Sequence, residues 1–70
     1  MTEIVFLVEE DPEGGYSARA LDMSIFTEGD TEDELKNNVK DALRCHFDDE
    51  SEIPPVIRLH FVRAQIISYA

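Results

Sequence analysis

Gly14-Gly15-Tyr16-Ser17-Ala18-Arg19-Ala20 is followed, after a short apolar bend, by Phe26-Thr27-Glu28-Gly29-Asp30-Thr31 and then by Glu32-Asp33-Glu34-Leu35. Hairpin, bend and helix start in that order decide the fold. The turn Asp11-Pro12-Glu13-Gly14-Gly15 joins a fixed proline φ to two glycines that accept positive φ at low cost. It separates the apolar run Ile4–Val8 from the run beginning at Tyr16, so a β-hairpin is predicted there. In the second strand Tyr16, Ala18 and Ala20 fall on one face and Ser17 and Arg19 on the other, the pattern of a half-exposed antiparallel strand. A short third strand is predicted over Ser24–Glu28, ended by Gly29.

Thr31-Glu32-Asp33-Glu34 is a capping box, in which the threonine hydroxyl takes the N–H of residue 34 and the Glu34 carboxylate reaches back to the N–H of Thr31. The helix it opens is predicted from Thr31 to about His46. Leu35, Val39, Ala42, Leu43 and His46 form its apolar stripe, with Lys36, Lys40, Asp33, Asn37 and Arg44 on the other side. Asp48-Asp49-Glu50 is unfavourable at the negative end of a helix, so the helix ends by Phe47. An acidic loop over residues 48–55 closes on Pro54-Pro55.

The final segment changes character along its length. Ile57, Leu59 and Phe61 are apolar on odd positions, whereas Val62, Ala64 and Ile66 are apolar on even ones. A period-two strand does not change its buried face without a bulge, a bend or a change of partner. Fourteen extended residues span roughly 46 Å at about 3.3 Å each, more than the first two strands can pair with. An unpaired apolar edge is an aggregation liability, so Val62, Ala64, Ile66 and Tyr69 are expected in a homo-oligomer interface. The fold class expected is α+β: a three-stranded antiparallel meander, one helix packed on a face and a final long strand (β-β-β-α-β), in a single domain over residues 1–70.

Size supports that expectation. A chain of 70 residues buries only about 60% of its unfolded surface, so its own core is marginal. One cysteine excludes an internal disulfide, and two histidines without paired spacing argue against structural zinc. Oligomerisation is the remaining remedy. The acidic N-terminus and its short apolar run do not form a signal peptide, and no stretch approaches the ~20 apolar residues of a membrane helix. A cytoplasmic protein is expected, with no membrane partner. Net charge is −10, and all 16 acids lie in residues 1–53, leaving +2 on residues 54–70. Such a surface repels phosphate and attracts basic proteins, so no nucleic acid is expected to bind this chain alone.

The order Gly14-Gly15-Tyr16, Phe26-Thr27-Glu28-Gly29-Asp30-Thr31, Asp33-Glu34-Leu35, Asn38 and Asp41-Ala42, with Ile53-Pro54-Pro55 later, resembles the N-terminal domain of HicB-like antitoxins. The similarity covers roughly residues 3–62. Met23-Ser24-Ile25 stands where that family usually has a Pro-Gly-Cys type turn. Many members continue into a DNA-binding segment, which lies outside these 70 residues. The resemblance implies an antitoxin-type domain that binds and blocks a small basic mRNA-cleaving toxin of the HicA type. The acidic residues Asp48, Asp49, Glu50 and Glu52, with the helix N-terminus, are the mating face expected for it. The alternative is a solitary family member, an oligomeric binding or scaffold domain with no toxin and no catalytic activity. Gly14, Gly15, Gly29, Thr31, Glu34 and Asn38 take structural roles, the Asn38 amide tying the helix to the turn before it.

No enzymatic constellation stands out, and no catalytic, cofactor or metal site is expected. Cys45 and His46 diverge by about 100° on a helix and make a poor nucleophile–base pair; Cys45 is expected at the edge of the core and His46 packed within the stripe. His60 shares a strand face with Arg58 and takes an exposed or interface role. Asp22, Glu28 and Asp30 surround the bend before the helix without the spacing of a metal loop.

Overall fold

The computed structural model describes residues 2–63 and 67–69. Four strands and a helix follow the expected order: β1 (Glu3–Glu10), β2 (Tyr16–Ala20), β3 (Phe26–Gly29), α1 (Glu32–His46), a 3-10 turn at Glu50–Glu52 and β4 (Val56–Val62). The sheet order is β3-β2-β1-β4. β1, β2 and β3 form the antiparallel meander, and β4 returns parallel to β1 from Glu3↔Val56 to Glu9↔Val62. The hairpin turn closes through Gly14 N to Asp11 O at 2.9 Å and Glu13 N to Asp11 Oδ1 at 2.9 Å. Gly14 and Gly15 there have φ of 106° and 92°.

Register assigns the faces. Ile4, Phe6 and Val8 of β1 stand beside Ala18 and Ala20 of β2, and together with Leu35, Val39 and Leu43 of α1 and Ile25 they form the buried core. Six of these, Phe6, Ile4, Leu35, Leu43, Val8 and Val39, have essentially no exposed surface. Each is worth about 1.5–3 kcal/mol relative to leaving it in water. The apolar stripe of the helix is therefore its buried face, except that His46 is exposed and meets the Phe47 ring edge-on at 5.1 Å. Cys45 is exposed as well, rather than at the core edge. Both lie in the last turn, where the next residue, Phe47, is the one that packs against the core.

Two further expectations need correction. β1 has eight residues and pairs with all seven of β4, and β4 ends at Val62, one step after the apolar parity breaks. The capping box forms by half: Thr31 Oγ1 accepts from Glu34 N at 3.1 Å, whereas no hydrogen bond from the Thr31 N–H to the Glu34 carboxylate is present. The three acids of the first turn remain free to face the helix dipole. Thr31→Ala should therefore cost on the order of 1 kcal/mol. A melting temperature equal to that of the unaltered protein would show that the hydroxyl does not hold the helix start.

Candidate functional site

Tyr16 pairs with Glu10 on one side and Gly29 on the other, which draws the hairpin turn against the helix entrance. Between them lies an open groove of about 500 Å³. Six acidic residues line it, Glu9, Glu10 and Asp11 from the hairpin and Glu28, Asp30 and Glu34 from the bend and first helical turn, and no lysine or arginine does; by strand alternation the Glu9 and Glu28 side chains belong to the sheet face away from α1. Tyr16 supplies an aromatic wall. Its ring stands edge-on to Phe61 of β4 at 6.2 Å. Ions of one sign gathered in a concave surface reinforce one another's field, and the groove is suited to cationic side chains.

Gly29 fixes the groove's depth. It is buried, and a Cβ there would lie 2.6 Å from Leu35 N and 2.9 Å from Leu35 Cα, so only glycine lets the helix start sit on the strand end. Asn38, one turn along, donates from Nδ2 to the Glu28 carbonyl at 2.7 Å. That bond ties α1 to β3, the strand just before the bend.

The acidic loop is a separate region. Asp48, Asp49, Glu50 and Glu52 are exposed beyond the C-terminal end of α1. Asp49 accepts from Ser51 N at 2.9 Å. Hydrogen bonding by Ser51, its backbone N–H first and its side chain second, holds the Asp49 carboxyl below its usual range. Arg44 reaches Asp41 at 2.7 Å and Glu50 at 3.8 Å, tying the loop loosely to the last turn. Fifteen helical residues at about 1.5 Å each place some 22 Å between this loop and the groove. The loop and the helix N-terminus are thus two acidic regions, not one face. Of the three acids expected around the bend, Glu28 and Asp30 line the groove, while Asp22 lies at the other end of β2 and β3. The sequence does not mark Glu9, Glu10 and Asp11 as part of this site; the hairpin length returns Tyr16 beside Glu10, and the β2–β3 register then brings Gly29 to Tyr16.

The sheet face away from α1 is uncovered. Phe26 is 65% exposed there, and Val56 and Val62 are also exposed. Arg58 pairs with the Glu3 carboxylate across the β4–β1 register. Of the residues expected in an interface, Val62 and Tyr69 are exposed, and Ala64 and Ile66 lie outside the described residues. Among the described residues no group of three or more His, Cys, Asp and Glu is arranged to hold a metal ion, and no helix is long and apolar enough to cross a membrane.

No family model and no solved structure matches the chain. Two curated proteins do. A UPF0150 protein of Thermotoga maritima is 44% identical over 61 residues, covering 87% of this chain and 84% of that protein. A UPF0150 protein of Archaeoglobus fulgidus is 55% identical over 51 residues, covering 73% of this chain and 74% of the other. At that identity and coverage, the chain belongs to the UPF0150 family.

Proposed function

We propose that this member of the UPF0150 family is a protein-binding domain of the HicB-like antitoxin type, which neutralises a small basic mRNA-cleaving toxin. The observation that carries the reading is the groove between hairpin and helix, lined by six acidic residues and by no lysine or arginine. The exposed acidic loop over residues 48–52 adds a second region of the same sign. A toxin that cleaves RNA needs basic side chains where the phosphates lie, and an acidic concave surface competes for those side chains. The motif order around Gly29 and Thr31 that resembles HicB-like domains builds this groove, so resemblance and geometry point to one surface. The groove is the primary contact and the 48–52 loop, at the other end of α1, a steering surface.

Association with a basic partner steered in this way is fast at low salt and slows as salt screens the charges. Reversing Glu10, Asp30 and Glu34 together should slow association about tenfold or more at low ionic strength. Reversing Asp48, Asp49 and Glu50 should slow it less and leave dissociation almost unchanged. Stopped-flow mixing with the basic protein recovered by co-purification from the native host measures both. Recovery of no basic partner, or a rate indifferent to salt and to both reversals, would overturn the reading. The second reading, a solitary oligomeric scaffold without a toxin, is favoured by the apolar exposure of β4, and co-purification separates the two.

A further inference from the structure

We propose that two copies of this chain join edge to edge through β4, antiparallel about a two-fold axis at Leu59, into one continuous eight-stranded sheet. This stands apart from the toxin reading, because β4 and β3 are opposite edges of the sheet, and of the β4 residues only Phe61 reaches the groove, through its edge-on contact with Tyr16.

β4 borders the sheet and pairs only with β1, so the other backbone edge of Val56–Val62 has no strand beside it among the described residues. An unpaired edge of that length is a template for another strand. The opposite edge is guarded: β3 has four residues, and the Asn38 amide occupies the Glu28 carbonyl.

The occupant follows from the strand's own sequence. Val56-Ile57-Arg58-Leu59-His60-Phe61-Val62, turned back on itself about Leu59, sets Val56 opposite Val62, Ile57 opposite Phe61 and Leu59 opposite its own copy. Arg58 falls opposite His60, and the Arg58 guanidinium is already paired with the Glu3 carboxylate. Apolar meets apolar at every other position, in both directions along the strand. β1 and β2 are paired on both edges and β3 is short, so among the described residues β4 is the strand that can use this symmetry.

Charge selects the same place. Two copies of a chain with net charge −10 repel each other over most of their surfaces, and β4 contains no acid. Packing selects it too. Ile57, Leu59 and Phe61 stand on the helix side of the sheet, but α1 lies over β3 and β2, leaving Ile57 and Leu59 half-buried and Phe61 47% exposed. The two-fold axis of an antiparallel pair is normal to the sheet, so both helices stand on one face. The two Ile57-Leu59-Phe61 rows then meet in the trough between them, at cross-strand spacings of about 4.5–5.5 Å.

Sedimentation equilibrium on the full chain tests the proposal, with circular dichroism as the check on folding. The intact protein should sediment at twice its 8.0 kDa mass. Val62→Lys sets a charge against a valine at both ends of the junction and should raise the dimer dissociation constant about tenfold or more. Val56→Glu alone should do the same. Together the two substitutions face each other across the axis as opposite charges and should restore the dimer. Both sites are exposed, 49% and 40%, so the fold of a single chain does not depend on either. A folded monomer from the intact chain would overturn the proposal, as would a dimer indifferent to Val62→Lys. A double variant no tighter than the singles would overturn the register about Leu59.

Discussion

Phe6→Ala is expected to leave little folded protein. Phe6 is wholly buried at the centre of β1, with Ala20 beside it on β2 and Leu59 on β4. Truncating a buried phenylalanine costs about 3–5 kcal/mol, through lost transfer energy and the cavity left behind. A domain of this length has roughly 4–10 kcal/mol in all, at about 0.05–0.15 kcal/mol per residue. Urea titration followed by circular dichroism should place the variant's midpoint close to zero denaturant. Leu7→Ala is the control, because Leu7 is the next residue, half-buried on the opposite face of the same strand. It should cost far less, about 1 kcal/mol. Equal losses at both positions would mean that β1 buries both faces and that the sheet is covered where it stands open.

Gly29→Ala should lower the melting temperature by about 4–24 °C, from an overpacking cost of about 1–3 kcal/mol. The atoms an added Cβ meets are backbone, Leu35 N at 2.6 Å, Leu35 Cα at 2.9 Å and the Glu34 carbonyl carbon at 3.1 Å, so no side chain can swing away. Relief requires α1 to lift from β3, which also strains the Asn38–Glu28 bond. Larger side chains should cost more, Gly29→Val exceeding Gly29→Ala. At Gly14 a Cβ meets open space, and the penalty there comes only from φ at +106°. Substitutions at Gly14 should therefore depend little on side-chain size beyond Cβ. Thermal melts of Ala and Val variants at both glycines separate the two causes. A Gly29 series that ignores size would show that the helix entrance is not packed on the strand.

These outcomes divide between what local pattern carries and what it does not. The hairpin, the helix from its Thr31 cap to its end at Phe47, and the buried rows on β1, β2 and α1 all rest on interactions within a few residues. Proline and glycine dihedrals, a capping hydroxyl, and periods of 2 and 3.6 are written in consecutive residues, and they led to the β-β-β-α-β order. His46 shows the limit of that reasoning, since it follows the helical period but stands exposed while the next residue, Phe47, packs against the core.

The groove is different. Glu9, Glu10 and Asp11 meet Glu28, Asp30 and Glu34 only because the β1–β2 and β2–β3 registers both pass through Tyr16. No spacing along the chain brings the two groups together. The separation of the 48–52 loop from the helix entrance is likewise set by the length of α1, which turns two nearby acidic stretches of sequence into opposite ends of one helix. The place of β4 was also beyond local pattern. Its alternation announces a strand, but alternation is the same for an edge and a centre, and for parallel and antiparallel neighbours. The sequence by itself determined which residues form strands and helix and which side of each is apolar, because those depend on dihedral preference and period. Only the tertiary structure decided which strands are neighbours, which acids share a groove and which edge stays open, because those depend on contacts between segments far apart in the chain.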